Sequence, residues 1–150
     1  MNDELNLAWK DIEQAVDIIL NRIGNKKYDY VIGIANGGLI PATLIAKKLK
    51  LKTLSVGLSS YIDKNQTSNV TIWSNVNFVH SPPDHYGHCL IVDDISDSGK
   101  TFTHLKNYYL MNNEILSDTA SLVVKPKTAF IPDYYALSID SDVWVKFPWE

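Results

Sequence analysis

The segment Tyr30-Val31-Ile32-Gly33-Ile34-Ala35 is short and almost wholly apolar, and it constrains the fold more than any other stretch of the chain. A strand with one wet face alternates apolar and polar residues, whereas a strand covered on both faces reads as a continuous apolar run. Asn36-Gly37-Gly38 follows, and then LIPATLIAKKL, in which Pro41 falls in a first helical turn where its missing N–H costs nothing. The unit is strand, glycine turn, helix. His88 to Val92 repeats it, leading into an Asp-rich loop and a helix from Gly99 to Met111. Thr53 to Leu58, Ala120 to Val124 and Tyr135 to Ile139 also read as strands. Upstream, Ile12, Val16, Ile19, Leu20 and Ile23 recur at helical spacing, and Gly24-Asn25 stops the pattern. Strands alternating with helices predict an α/β domain with a mainly parallel, twisted sheet flanked by helices.

A chain of 150 residues suits one domain, expected to span 1–150. Residues 59–87 break the pattern. They are polar, rich in Asn and Ser, and alternate partially through Val70, Ile72, Val76 and Phe78, which reads as a flexible loop excursion carrying a β-ribbon. A net charge of −3 argues against nucleic acid as a partner, because binding to a polyanion draws on a surplus of Lys and Arg. The single cysteine, Cys89, can form neither an internal disulfide nor a zinc cluster, so a reducing compartment and a buried thiol are expected. The N-terminus, MNDELNLAWKDIEQ, lacks signal-peptide character, and no apolar run approaches a membrane span. A cytoplasmic location is the expectation.

Chemistry concentrates in Asp93-Asp94-Ile95-Ser96-Asp97-Ser98-Gly99-Lys100-Thr101. Gly-Lys-Thr at a helix start offers unpaired N–H groups and the positive end of the helix dipole, which suit an anion. A nucleotide-triphosphate P-loop would need a glycine where Asp94 stands. The consistent alternative puts one phosphate at the helix end, on the Ser98 and Thr101 hydroxyls and the backbone of Ser98 to Thr101. Asp93 and Asp94 then accept hydrogen bonds from sugar hydroxyls. A ribose 5-phosphate has both parts. The blander reading makes the two aspartates solvated turn residues or helix caps.

Ile91 to Thr101 resembles the phosphoribosyl pyrophosphate signature of type I phosphoribosyltransferases. Val31 to Pro41 resembles the pyrophosphate loop and following helix of the bacterial xanthine-guanine enzymes. Ser59-Ser60-Tyr61 is similar to the start of their flexible loop, and Val124-Lys125-Pro126 with Trp144-Val145-Lys146-Phe147-Pro148-Trp149 to their purine-binding hood, here 125–150. The resemblance implies the type I fold with a small hood, and transfer of a phosphoribosyl group to a 6-oxopurine (guanine, xanthine or hypoxanthine) with magnesium (Mg2+). It implies that Ser98, Gly99, Lys100 and Thr101 hold the 5-phosphate and that Asp93 and Asp94 bind the ribose hydroxyls, Asp94 also lying near the metal. It places Asp97 at purine N7 as the catalytic proton handler, and Asn36 and Gly37 around pyrophosphate. Lys125 would donate to the 6-oxo group, Trp144 would stack on the base, and the backbone near Val145 would read the 2-substituent. A homo-oligomer, dimer or tetramer, is implied as well.

Two departures stand out. Asn36 occupies a position where these enzymes carry a basic residue, and the excursion holds a single cation, Lys64, as a candidate lid residue. These motivate an alternative of another class: a non-catalytic regulator that senses phosphoribosyl pyrophosphate or nucleotide. The chain also stops at Glu150, where the bacterial enzymes continue, so contacts made by that segment are expected to be lost or replaced. His80, His85 and His88 lack metal-ligand spacing, and His104 reads as helix surface. Trp9, Trp73 and Trp149 are expected to be packing or interface aromatics.

Overall fold

The structure, a computed structural model, describes residues 3–62, 64–66, 68–75, 87–113 and 115–150. A six-stranded sheet forms the centre, in the order β4 (Ser68–Ser74), β3 (Lys52–Ile62), β2 (Tyr30–Ala35), β5 (His88–Ser96), β6 (Leu116–Val124), β7 (Tyr134–Ser138). All neighbours are parallel except β3 and β4. Helices α1 (Trp9–Ile23) and α2 (Leu39–Leu49) cover one face and α3 (Lys100–Asn113) the other. A separate two-stranded parallel sheet joins β1 (Glu4–Asn6) to β8 (Trp144–Lys146).

The continuous apolar runs are buried on both faces. Along β5, Leu90 and Val92 point into the core beneath α1 and α2, whereas Cys89 and Ile91 point into the core beneath α3. Along β2, Val31 joins the first core and Ile32 and Ile34 the second. Successive side chains of a strand face opposite ways, so each run supplies two cores at once. Cys89 is fully buried, and loss of hydration pushes its thiol pKa up to about 12, so it packs as a small apolar group.

Helix α1 buries Ile12, Ala15, Val16, Ile19 and Ile23 along one stripe. Ala8 offers no capping oxygen before it. Instead the Asp11 carboxylate reaches back to accept the Ala8 N–H at 2.8 Å. In α3, Phe102, Leu105 and Tyr109 form the buried stripe.

Several strands run further than their apolar cores suggest. β5 continues to Ser96 and β3 to Ile62, so Asp93 and Asp94 lie on a strand and not in a loop. Cross-strand bonding carries the polar residues: Asp93 pairs with Ser121 and Ile95 with Val123. β3 and β4 form the expected antiparallel ribbon, and Val76, Phe78, His80 and His85 lie outside the described residues. β1 was not foreseen. Three residues carry too little pattern to be recognised before their partner is known. No described helix is long and apolar enough to cross a membrane.

Candidate active site

From β2 the chain passes through α2 to β3 on one side, and from β5 through α3 to β6 on the other. Between the carboxyl ends of β2 and β5 the two paths diverge and leave a crevice, the usual place for a ligand in an open α/β sheet. The glycine turn after β2 and the aspartates of β5 meet there.

Asp93 and Asp94 are partly buried, and the Asp94 N–H donates to Asp93 Oδ1 at 2.9 Å. Burial, followed by the charge of Asp94, lifts the Asp93 carboxyl well above the ordinary aspartate range. Burial also raises Asp94, with a further contribution from Glu150. Among the described residues no Lys or Arg forms an ion pair with either. The pair is a patch of negative charge that the fold itself leaves uncompensated.

Gly37 packs directly on this patch. A Cβ added there would lie 2.1 Å from Asp94 Oδ2, well inside contact distance, so only glycine lets the turn approach so closely. The Ala35–Asn36 peptide is cis, and the exposed Asn36 accepts the Leu39 N–H at 3.2 Å through its carbonyl.

Beyond β5, Gly99 adopts a φ of +85°, and an added Cβ would lie 2.5 Å from the Phe130 nitrogen. The turn thus needs glycine for both its dihedral and its packing. The Gly99 carbonyl accepts the Thr103 N–H at 3.1 Å and its hydroxyl at 2.9 Å, which starts α3. The segment after β6 braces the loop from the side. Lys125 N–H donates to the Ser96 carbonyl at 3.0 Å, Ala129 N–H to the Ser98 carbonyl at 2.9 Å, and Ser96 Oγ to the Phe130 carbonyl at 2.8 Å. Asp97, Ser98 and Lys100 are left exposed at the mouth, and Thr101 half-buried.

A pocket next to the aspartates brings Asp94, Asp97, Lys125, Trp144 and Val145 together. Lys125 is only 3% exposed, unlike an ordinary lysine after a strand. Its ammonium donates to the carbonyl of Asp140 at 2.8 Å and to that of Val143. β1 holds the far wall: Trp144 N–H donates to the Asp3 carbonyl at 2.8 Å and Leu7 N–H to that of Lys146 at 2.9 Å. Val145 turns inward while the Trp144 ring remains 63% exposed, as an open platform. Phe147 stacks on Trp149 at 4.9 Å, and Trp9 sits 5.9 Å from Trp149, so Trp9 and Trp149 form a packing cluster.

The crevice brings Gly37 against Asp94 beside Asp93, and the adjoining pocket joins Asp94 to Asp97, Lys125, Trp144 and Val145, residues far apart in the chain. The family comparison decides what such a crevice belongs to: residues 4–150 match the phosphoribosyl transferase domain. The chain belongs to the phosphoribosyltransferase family. It is 30% identical to the xanthine-guanine phosphoribosyltransferase of Cereibacter sphaeroides, over 99% of this chain and 80% of that one. Identity to the enzyme of the same name from Idiomarina loihiensis is 24%, over 99% and 88%. The crystal structure of a purine phosphoribosyltransferase from Pyrococcus horikoshii superposes with a TM-score of 0.84 at 28% identity, covering 99% of this chain and 94% of the other. The mostly parallel sheet and its flanking helices are those of this phosphoribosyltransferase fold.

Lys64 lies exposed in the turn between β3 and β4. His88 lies at the opposite end of the sheet, 3.4 Å from Asp118, away from the crevice. Sequence reasoning missed Glu150 as a wall of the pocket, and the Asp140 and Val143 carbonyls as partners of Lys125. Backbone acceptors leave no mark on composition, and a terminal glutamate has no motif.

The aspartate pair permits a test without substrate. A carboxyl whose pKa is raised by folding holds its proton to higher pH than it does in the unfolded chain, where it ionises near pH ~3.9, so stability falls as pH rises above about 4 until the folded carboxyl has ionised as well. Asp93→Asn keeps the acceptor for the Asp94 N–H and removes this penalty. We expect its Tm at pH 7 to exceed wild type by roughly 2–4 °C for each kcal/mol gained, with the difference vanishing near pH 3. Equal Tm values at both pH values would show that the pair is not a source of strain.

Proposed function

We propose that the protein is a purine salvage enzyme transferring phosphoribosyl from phosphoribosyl pyrophosphate to a 6-oxopurine, releasing pyrophosphate. The observation that carries this reading is the buried Lys125 beside the Trp144 platform, in one pocket with Asp97. An ammonium has three N–H donors, of which two serve the Asp140 and Val143 carbonyls. The third is suited to the purine 6-oxo group, an acceptor that adenine lacks. The names of the curated relatives favour the enzyme over the sensor alternative.

In this reading the Ser98 to Thr101 turn and the start of α3 hold the 5-phosphate. Asp93 and Asp94 accept from the ribose hydroxyls and sit close to the carbon that becomes cationic as the C1–O bond breaks, so their charge assists where positive charge develops. Asn36 and Gly37 cradle the leaving pyrophosphate. Trp144 and the backbone at Val145 hold the base in line with C1, and Asp97 takes the proton from N7. The oxygen-only donors at Asp94 suit Mg2+, a hard cation that is usually held by one or two carboxylates together with substrate phosphates and water. Bound there, the metal would stabilise negative charge on the departing pyrophosphate.

The deciding experiment is pyrophosphate release from phosphoribosyl pyrophosphate and Mg2+, with guanine, hypoxanthine, xanthine, adenine and uracil offered in parallel. Turnover restricted to 6-oxopurines is expected. Binding without turnover of any base would favour the sensor. Lys125→Ala should raise the KM for the purine about 10-fold or more, in the range of a charged hydrogen bond, with the KM for phosphoribosyl pyrophosphate little changed. An equal rise in both would make Lys125 a structural brace only.

A further inference from the structure

The pocket that would receive the base is unevenly charged. Lys125 stands there against four carboxylates, Asp94, Asp97, Asp142 and Glu150. Glu150 belongs to no motif of the phosphoribosyl pyrophosphate site, yet it is held in place. Its Oε2 accepts the Phe147 N–H at 3.3 Å, and its own N–H donates to the Phe147 carbonyl at 3.2 Å. The carboxylate is thereby fixed on the Val145 to Phe147 side of the pocket, the side assigned above to the purine 2-substituent. A carboxylate only accepts hydrogen bonds and has about four acceptor sites, so the bond to Phe147 leaves capacity for a ligand.

We propose that Glu150 is the residue that ranks the three 6-oxopurines, its carboxylate accepting from the N1–H and 2-amino edge of guanine, so that guanine is preferred over hypoxanthine and hypoxanthine over xanthine. The inference rests on the purine reading above and deepens it. Guanine presents two adjacent N–H donors, which two carboxylate oxygens can meet together. Hypoxanthine presents only N1–H. Xanthine places a 2-oxo acceptor there and is the most acidic of the three bases, so an acidic wall opposes it both by lone-pair repulsion and by charge. Selectivity then comes as much from rejecting xanthine as from holding guanine.

The test compares kcat/KM for guanine, hypoxanthine and xanthine in the wild-type protein and in Glu150→Gln, with saturating phosphoribosyl pyrophosphate and Mg2+. Glutamine preserves the shape and the acceptor for Phe147 and offers an amide donor. Because Glu150 is exposed, the expected effects sit at the lower end for a charged hydrogen bond. Wild type should favour guanine over xanthine by about 10-fold or more. The variant should lose about 10-fold on guanine and less on hypoxanthine, while xanthine holds steady or improves. A common factor on all three bases, or a wild-type preference for xanthine, overturns the proposal and leaves the purine reading intact. Conversion of no purine by the wild-type protein overturns both.

Discussion

Asp97→Asn is expected to lower kcat by about 10²-fold or more, the usual contribution of a positioned acid–base group, while phosphoribosyl pyrophosphate and purine still bind. Asp97 is exposed at the mouth of the crevice and shares the pocket with Lys125 and Trp144. Asparagine has nearly the same shape and cannot take a proton. Replacement at an exposed position should leave Tm within a degree or two of wild type, which separates a chemical loss from a folding one. Unchanged kcat would remove Asp97 from the chemistry and point to the purine nitrogen losing its proton to solvent.

Gly37→Ala should produce a loss of similar size by a different route. The new methyl would overlap Asp94 Oδ2 at 2.1 Å, so either the turn after β2 or the Asp94 side chain has to move by more than an ångström. A displacement of that order can cost 10²-fold when the displaced groups position a reacting bond. The loss should appear in kcat/KM for phosphoribosyl pyrophosphate, because in the proposed reading both displaced groups face that substrate. If kcat/KM stays within a few-fold of wild type, the close packing of turn and aspartate has no functional role.

Legibility differed between parts of the molecule for identifiable reasons. The two central strands were readable because burial on both faces forces a continuous apolar run, and Val31, Ile32, Leu90 and Ile91 all supply it. The turn into α3 was readable because Gly99 is needed for a positive φ and for its approach to Phe130. The ends of the strands were not. Asp93 to Ser96 continue β5 because β6 is there to pair with them, and pairing of that kind is indifferent to side-chain polarity. Likewise Glu4 to Asn6 become a strand only because Trp144 to Lys146 lie alongside.

The roles of individual site residues divide in the same way. The sequence by itself determined the α/β class, the two loops that converge on one crevice, and the residue types that suit ribose and phosphate, because each depends on local pattern or local backbone geometry. Only the tertiary structure decided that Lys125 is buried and bonded to the Asp140 and Val143 carbonyls, that Gly37 touches Asp94, and that Glu150 closes the pocket. Those relations join residues distant in the chain, often through backbone atoms that every residue shares. Nothing in the identity of one residue records them until the chain is folded.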